Sequence, residues 1–378
     1  MNNQDAFARA FNILSDFEDK AQPYNLSYKG FPVWLGIREY IYMNLVENLD
    51  SKVLFGVGNV FLNRRKAFAY IDLAFRKAKL INKSLILNPK KLERKCLIFG
   101  DLVYRRAKIS GKSVDIFIDP IKMLDVDDSI CGIETISLGS SIDYKEMFPT
   151  LKAYDLFLTQ GLAFACEKLS TRILRINPAA ANFDIDLINE NLDSIKLNKD
   201  IFLRVLNNFI FCFDFITRYW EYIFEKTKPS LVSGSDWCSR ANILKFFVAK
   251  KMGIPTVEIM HGVINKYHRG YIYKKLPLDR DLEAFHPDYL VVFGRFFKDL
   301  LVREGTLWNE DKILDLGYPW LDYYLNSVMV DKNKLKSDLG ISDNSKILVI
   351  TSQATVSSAL KKMLADLTIP DNWVVVVK

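Results

Sequence analysis

The chain has three histidines in 378 residues, His261, His268 and His286, and all fall in one window. Two of them lie in VEIMHGVINKYHRGY (257–271). An imidazole titrates near neutral pH, so His261, at the end of an apolar run and followed by Gly262, can take a proton from a substrate hydroxyl. His268 is a second candidate in the same loop. Each also has the plainer reading of a histidine hydrogen-bonded in a crevice, and that reading suits His286 best. The spacing of His261 and His268, with no cysteine near them, does not fit a tetrahedral zinc site, so no metal is expected. Asp236, in SGSDW, can act as a base on a hydroxyl or hold a histidine in its working tautomer. It can equally cap a helix starting near Ser239. Glu258 stands mid-run, paired within the fold or turned toward a crevice wall. Arg38 follows Trp34 by four residues in FPVWLGIREYIYMNL, so the two share a helix face. It can bind an anion or pair with a carboxylate. Ser352 and Gln353 end the run KILVITSQ, where small side chains and backbone amides can cradle a phosphate. Neither GxGxxG nor GxxxxGK[ST] accompanies them.

Those residues need a frame. From 229 the chain alternates regularly: PSLVSGSD (229–236), a helix over 239–253 closed by Gly253, IPTVEIMHG (254–262), PDYLVVFG (287–294), a helix over 295–305 ending in Gly305, and KILDLGYP (312–319). Short apolar runs alternating with helices are the pattern of a parallel, doubly wound α/β sheet. Ligands of such sheets sit beyond the carboxyl ends of the strands. Here those ends are Ser233 to Asp236, His261–Gly262, Gly294 and Gly317–Tyr318. Upstream, 95–100 and 114–120 read as buried strands, and 1–95 and 143–225 as mainly helical. The aromatic segment Phe202 to Phe224 reads as a core helix. The polar stretch 322–345 reads as helix-poor in its second half, with 326–345 as an interdomain linker. After it a strand (346–353), a helix (358–367) and a strand (372–378) begin again. That β-α-β piece is too small to be stable alone, which predicts an incomplete second sheet domain, with packing onto the first domain as its final element as the alternative. The expected organisation is a helical N-terminal region (1–95), a first Rossmann-like domain (96–325), the linker, and the start of a second such domain (346–378).

Composition narrows the classes. Hydrophobic residues make up 49% and charged residues 26%, which fits a folded protein and excludes a disordered one. Five widely spaced cysteines without a CxxC pair argue against a disulfide scaffold and suit a reducing, cytoplasmic setting. No apolar run approaches the length of a membrane span. The net charge is +7, yet 61–112 carries fifteen basic residues, among them Arg64, Arg65 and Lys66, against Asp72, Glu93 and Asp101. That imbalance suits an anionic partner. In LNRRKAFAYIDLAFRKAKLI the apolar residues recur at roughly helical spacing, as in a basic helix lying on an anionic membrane surface. A solvated helix packed on its own domain is the alternative. No nucleic-acid module accompanies the charge, so nucleic acid is not expected as a partner.

The succession VEIMHGVINKYHRGY, PDYLVVFG, a helix, KILDLGYPWLD and KILVITSQ resembles bacterial surface-polysaccharide glycosyltransferases of the GT-B fold, near the Kdo, sialyl and polysialyl transferases of capsule and lipopolysaccharide synthesis. The resemblance covers roughly 229–378. It implies two facing doubly wound domains, no cofactor beyond a CMP- or UDP-sugar co-substrate, and a polysaccharide or lipid-linked acceptor. It implies Asp236 or His261 as the base and His268, Tyr271, Glu258 and Arg38 toward the substrate. Gly317, Tyr318, Ser352 and Gln353 fall on the donor side. Met260 stands where related sequences carry Gln, and the His-Pro motif of the CMP-sugar branch would follow Lys378. The basic 61–112 region would keep the enzyme at the inner face of the plasma membrane. Three other readings stand beside this one: a nucleotide-sugar 2-epimerase-like enzyme, a CDP-glycerol-type polyol-phosphate transferase, and a non-catalytic partner in polysaccharide assembly.

Overall fold

Apolar residues at helical spacing, among them Ala10, Phe11, Leu14 and Phe17, build α1 (Asn3–Ala21) and bury its inner face. A short antiparallel hairpin follows, β1 (Ser27–Tyr28) and β2 (Phe31–Pro32). Lys29 and Gly30 both take positive φ at its turn, the type I′ geometry that matches strand twist. The next helix, α2 (Val33–Leu49), is buried on most sides and so lies in the interior. Further along come β3 (Cys96–Asp101), the hairpin β4 (Ala107–Ile109) and β5 (Lys112–Val114), α3 (Ile118–Lys122), β6 (Ile130–Thr135) and β7 (Leu151–Ala153). The long α4 (Lys199–Thr227), β8 (Leu231–Gly234), α5 (Arg240–Lys251), β9 (Thr256–Ile259), β10 (Tyr289–Val291), α6 (Arg295–Glu304), β11 (Ile313–Leu314) and α7 (Pro319–Ser327) follow. Last are α8 (Lys332–Asp338), β12 (Lys346–Ile350), α9 (Ser357–Ala365) and β13 (Trp373–Val377). This computed structural model describes residues 3–50, 92–93, 95–101, 107–109, 111–125, 127–135, 146–153, 191–192, 199–274, 276, 282–327, 331–342, 344–350 and 357–377.

Among the described residues, seven strands form one sheet in the order β11-β10-β9-β8-β3-β6-β7. Every neighbouring pair is parallel. The chain starts at β3, steps outward through β6 and β7, returns to β8 and then steps outward the other way. The direction of winding therefore reverses between β3 and β8, and the carboxyl ends of those two strands open the crevice in which such sheets bind ligands.

The core joins the N-terminal helices to this sheet. Phe209, Phe213, Trp220 and Phe224 line the buried side of α4, as the aromatic segment predicts; Phe209 and Phe213 pack with Phe31, Phe213 also with Phe247, and Trp220 with Phe224 and Phe99. Glycine at 36 makes the contact of α2 with α4 possible, because a Cβ there would lie 2.1 Å from the Phe209 ring. Gly253 and Gly305 take positive φ at the ends of α5 and α6, as their positions after the helices suggest.

Several expectations change. The run 114–120 is not a strand. Val114 ends β5, and Asp115 then turns its carboxylate back onto the amides of Phe117 and Ile118, 2.8 Å each, which starts α3. Within 143–225, Leu151–Ala153 is strand β7 and not helix. Strand β6 goes unread in the sequence because its fifth residue is Glu134, whose buried charge is held by Lys152 from β7. The polar stretch before 346 contains α8, whose start is fixed by Asp331 accepting from the amides of Asn333 and Lys334.

Contacts divide the chain into a unit over Gln4–Trp320 and a smaller one formed chiefly by Leu321–Lys378. In the smaller unit β12 and β13 pair in parallel register, Lys346 opposite Trp373 through Ile350 opposite Val377, so the expected β-α-β unit is present. Its VVVV run is not fully buried as expected: Val377 is exposed at the end of this two-stranded sheet, as is Val349 in the neighbouring strand. Most of the basic 61–112 region, including Arg64, Arg65 and Lys66, lies outside the described residues, as do Ser352 and Gln353. No helix among the described residues is long and apolar enough to cross a membrane.

Candidate functional site

The loop after β9 is the centre of the site, and α2 holds it in place. Arg38 of α2 is 2% exposed and pairs with Glu18 of α1, its Nε donating to Oε1 at 2.6 Å and its Nη2 to Oε2 at 3.1 Å. Trp34 Nε1 and the Tyr24 hydroxyl donate to the same Oε1, at 2.7 and 2.9 Å. The shared face of Trp34 and Arg38 thus converges on one buried carboxylate. Burial opposes the Arg38 charge, and Glu18 outweighs it, so the guanidinium stays ionised. The remaining donors of Arg38 reach the carbonyls of Arg269 and Ile272. One residue on, Glu39 Oε1 accepts from Arg269 Nε at 2.9 Å and Nη2 at 2.5 Å. One turn of helix therefore grips the 261–273 loop by both its backbone and its side chains. Arg38 belongs to this support and is turned away from solvent, paired with a carboxylate rather than open to an anion.

Within the loop three side chains form a chain. The Tyr271 hydroxyl donates to Glu258 Oε1 at 2.5 Å, and its oxygen lies 3.3 Å from His261 Nδ1. With Glu258 ionised, Tyr271 spends its single proton on it, and the contact with His261 then has Nδ1–H as donor. That tautomer leaves the lone pair on Nε2. Burial and the Glu258 charge push the Tyr271 phenol well above its usual range, so it remains a neutral donor. Burial pushes the Glu258 carboxyl up, opposed by the Tyr271 hydroxyl and raised further by Asp236. Tyr271 is 1% exposed and Glu258 0%. Both are therefore buried, with Tyr271 between Glu258 and His261.

Asp236 follows β8, the strand at the winding reversal, and holds φ 58°. A left-handed backbone is unusual outside glycine and marks a constrained turn. The turn is fixed from below. Asn242 Nδ2 donates to the carbonyls of Ser235 and Asp236, at 2.9 and 3.1 Å, and Asn242 Oδ1 accepts from the fully buried Lys245 at 2.7 Å. Lys245 Nζ in turn lies 3.9 Å over the Phe99 ring. Ser239 occupies the N-cap position of α5, while the Cys238 thiol donates to Asp236 Oδ1 at 3.7 Å. Asp236 is thus turned toward Glu39, Cys238 and Glu258 rather than serving as the helix cap.

The His268 ring lies tilted at 45° against Tyr271, with ring centroids 4.8 Å apart, and accepts from the Gly270 amide at 3.2 Å. Burial and the nearby charges of Arg269, His261 and Arg38 lower it to about 3, so it is neutral at ordinary pH. His286 is 3% exposed, with Nδ1 2.9 Å from the Pro287 carbonyl and its ring against Trp308. It is a core residue, as the plainer reading has it. Met260 is fully buried, and its amide donates to the Val291 carbonyl. Gly317 has φ 93°, and Tyr318 stacks on Phe293 at 4.3 Å in a second apolar cluster with Phe117 and Ile259. Both belong to the unit that carries the seven-stranded sheet. Sequence reasoning missed Glu39, Cys238, Asn242, Lys245 and Arg269, for none of these has a motif of its own.

No protein-family model matches the chain, and no curated protein matches it. Among solved structures it is similar to a UDP-GlcNAc 2-epimerase from Neisseria meningitidis bound to UDP-GlcNAc, at 15% identity and TM-score 0.33 over 75% of this chain and 66% of that one. It is also similar to a UDP-N-acetylglucosamine 2-epimerase from Rickettsia bellii, at 12% identity and TM-score 0.30 over 75% and 68%. The chain spans just under two thirds of the Neisseria protein's length. At these scores the likeness assigns no activity, and what the chain does must be read from its own residues.

Proposed function

We propose that this chain is a glycosyltransferase that moves a sugar from a CMP- or UDP-linked donor to a growing surface polysaccharide or lipid-linked acceptor. The observation that carries this reading is the buried Glu258–Tyr271–His261 chain at the carboxyl end of β9, beside the winding reversal. It leaves His261 Nε2 as a base. Nε2 takes the proton of the acceptor hydroxyl as that oxygen bonds to the anomeric carbon, and the bond to the nucleotide breaks with its electrons leaving on the phosphate. The imidazolium so formed is steadied by Tyr271, backed by Glu258, and by the negative charge of Asp236. His268, neutral and partly exposed, lines the same loop. Gly317 and Tyr318 would serve the donor, and Ser352 and Gln353 are donor-side residues by the sequence resemblance alone. The basic 61–112 region would hold the enzyme at an anionic membrane where a lipid-linked acceptor resides.

The test incubates the full chain with a panel of CMP- and UDP-sugars, with and without surface-polysaccharide acceptors. Nucleotide release that requires acceptor and is lost in His261→Ala supports transfer. Release from no donor, or release unchanged in His261→Ala, sinks it.

One observation favours a second reading, a nucleotide-sugar 2-epimerase. Glu258, raised by burial, and Asp236, at the partly exposed rim, are carboxyls in different environments, the arrangement that acid–base work at a sugar carbon needs. Exchange of the sugar C2 hydrogen with deuterated water, without acceptor, would select this reading over transfer.

A further inference from the structure

We infer that Glu258 is a positioning residue with two settings: ionised, it holds His261 as the Nδ1–H tautomer, and protonated, it reverses the hydrogen-bond chain and places the imidazole proton on Nε2. The Tyr271 hydroxyl stands between the two groups, 2.5 Å from Glu258 Oε1 and 3.3 Å from His261 Nδ1. It has one proton and donates to one neighbour at a time. A carboxylate takes that proton. A carboxyl group instead donates its own O–H to the Tyr271 oxygen, and the phenolic hydrogen turns about the C–O bond toward Nδ1. Nδ1 must then accept, so it gives its proton to water while Nε2 takes one from water. The ring stays neutral, and the net change is one solvent proton bound to Glu258. No heavy atom has to move, because the same separations serve both directions. Nε2 is a base in the first setting and a hydrogen-bond donor in the second.

The surroundings of Glu258 admit both settings. Glu18 and Glu134 are buried as deeply, and each is paired with a cation, Arg38 and Lys152. Among the described residues no cation pairs with Glu258, and its Oε2 has no hydrogen bond. A buried carboxylate without a cation is costly, which brings the neutral form within reach. The Tyr271 hydroxyl and the amides of Asp236 and Trp237 favour the charge, whereas burial and the Asp236 carboxylate oppose it. Three elements bring charged or titratable groups to the chain: Glu39 from α2, Asp236 and Cys238 from the turn after β8, and His268 and Arg269 from the loop itself. Cys238 is held as a neutral thiol by burial, His268 is neutral, and Arg269 is bound to Glu39. Only the ionised setting supplies the base that transfer needs. That consequence rests on the reading proposed above, whereas the tautomer itself does not.

The test labels the histidines of the full chain with nitrogen-15 and records their ring-nitrogen NMR signals across a pH series, without substrate. The signals of His261 are those missing from His261→Ala. The expected result is an Nδ1–H ring at high pH that changes to Nε2–H as pH falls, before the imidazolium forms. In Glu258→Leu the hydroxyl has no carboxylate to serve and turns to Nδ1, so the neutral ring should be Nε2–H throughout. An Nε2–H ring at every pH in the wild type overturns the inference, as does direct passage from Nδ1–H to imidazolium. Survival of Nδ1–H in Glu258→Leu overturns it equally. If Glu258→Leu does not fold, Tyr271→Phe takes its place: it severs the chain, and a tautomer that still changes with pH as in the wild type overturns the link. Failure of acceptor-dependent nucleotide release would sink the transfer reading and leave the tautomer result standing.

Discussion

At the residue scale, the site depends on which nitrogen of His261 carries the proton. Tyr271→Phe removes the hydroxyl that fixes it and keeps the ring against His268. Turnover should fall about 10–100-fold, with the Michaelis constant little changed. Replacing His261 itself should cost about 10²–10⁴-fold. Steady-state kinetics on the two variants, once a donor is found, checks both, and an unimpaired Tyr271→Phe would remove the hydroxyl from the mechanism. His268 adds a pH dependence. Folding lowers it from the ordinary histidine range near 6.5 to about 3, so the unfolded chain binds the extra proton first as pH falls. Its contribution to stability is present in full above about pH 6.5 and is lost progressively toward pH 3. Unfolding temperature measured across that window should fall less steeply in His268→Gln than in the wild type. His261 and Asp236 are visible as candidates in the sequence because histidine is scarce and both follow strands. Glu258 and Tyr271 look like substrate contacts there because burial is not written in residue type.

At the element scale, α2 decides the geometry of the loop. Its Arg38 and Glu18 are both almost fully buried, so removing one partner strands the other charge. Glu18→Gln should therefore lose on the order of 3–5 kcal/mol in urea unfolding. The double substitution Glu18→Leu with Arg38→Met should recover part of that loss, because no ion is left unpaired. Gly36→Val should also destabilise, by about 1–3 kcal/mol or more, as its side chain meets Phe209. The helices and strands of 229–319 are legible in the sequence since periodicity changes cleanly at Gly253, Gly294 and Gly305. The 114–120 and 143–153 stretches are not. Asp115 redirects a strand-like run into a helical turn, and β6 hides behind a buried Glu134 whose partner, Lys152, belongs to another strand.

At the scale of the whole molecule, positive charge is concentrated in 61–112. If it meets an anionic membrane, neutralising Arg64, Arg65 and Lys66 should cost about 1 kcal/mol per residue in binding to vesicles containing phosphatidylserine. Sedimentation of the full chain with such vesicles at two salt concentrations measures it. Equal binding by the triple variant would leave the charge as ordinary solvated surface.

The sequence by itself determined the α/β class, the alternation of parallel strands and helices from 229 onward, and the strand ends at which chemistry can occur. These follow from local periodicity and from glycine, which short segments carry within themselves. The tertiary structure alone decided the strand order, and with it the reversal between β3 and β8 that opens the crevice. It also decided the roles of the site residues. Glu39 and Arg269 are 230 positions apart in the chain, and their carboxylate and guanidinium lie within hydrogen-bonding distance. A local pattern cannot encode that contact, because it arises from packing α2 against α4 and α5, where hydrophobic burial acts without regard to distance along the chain.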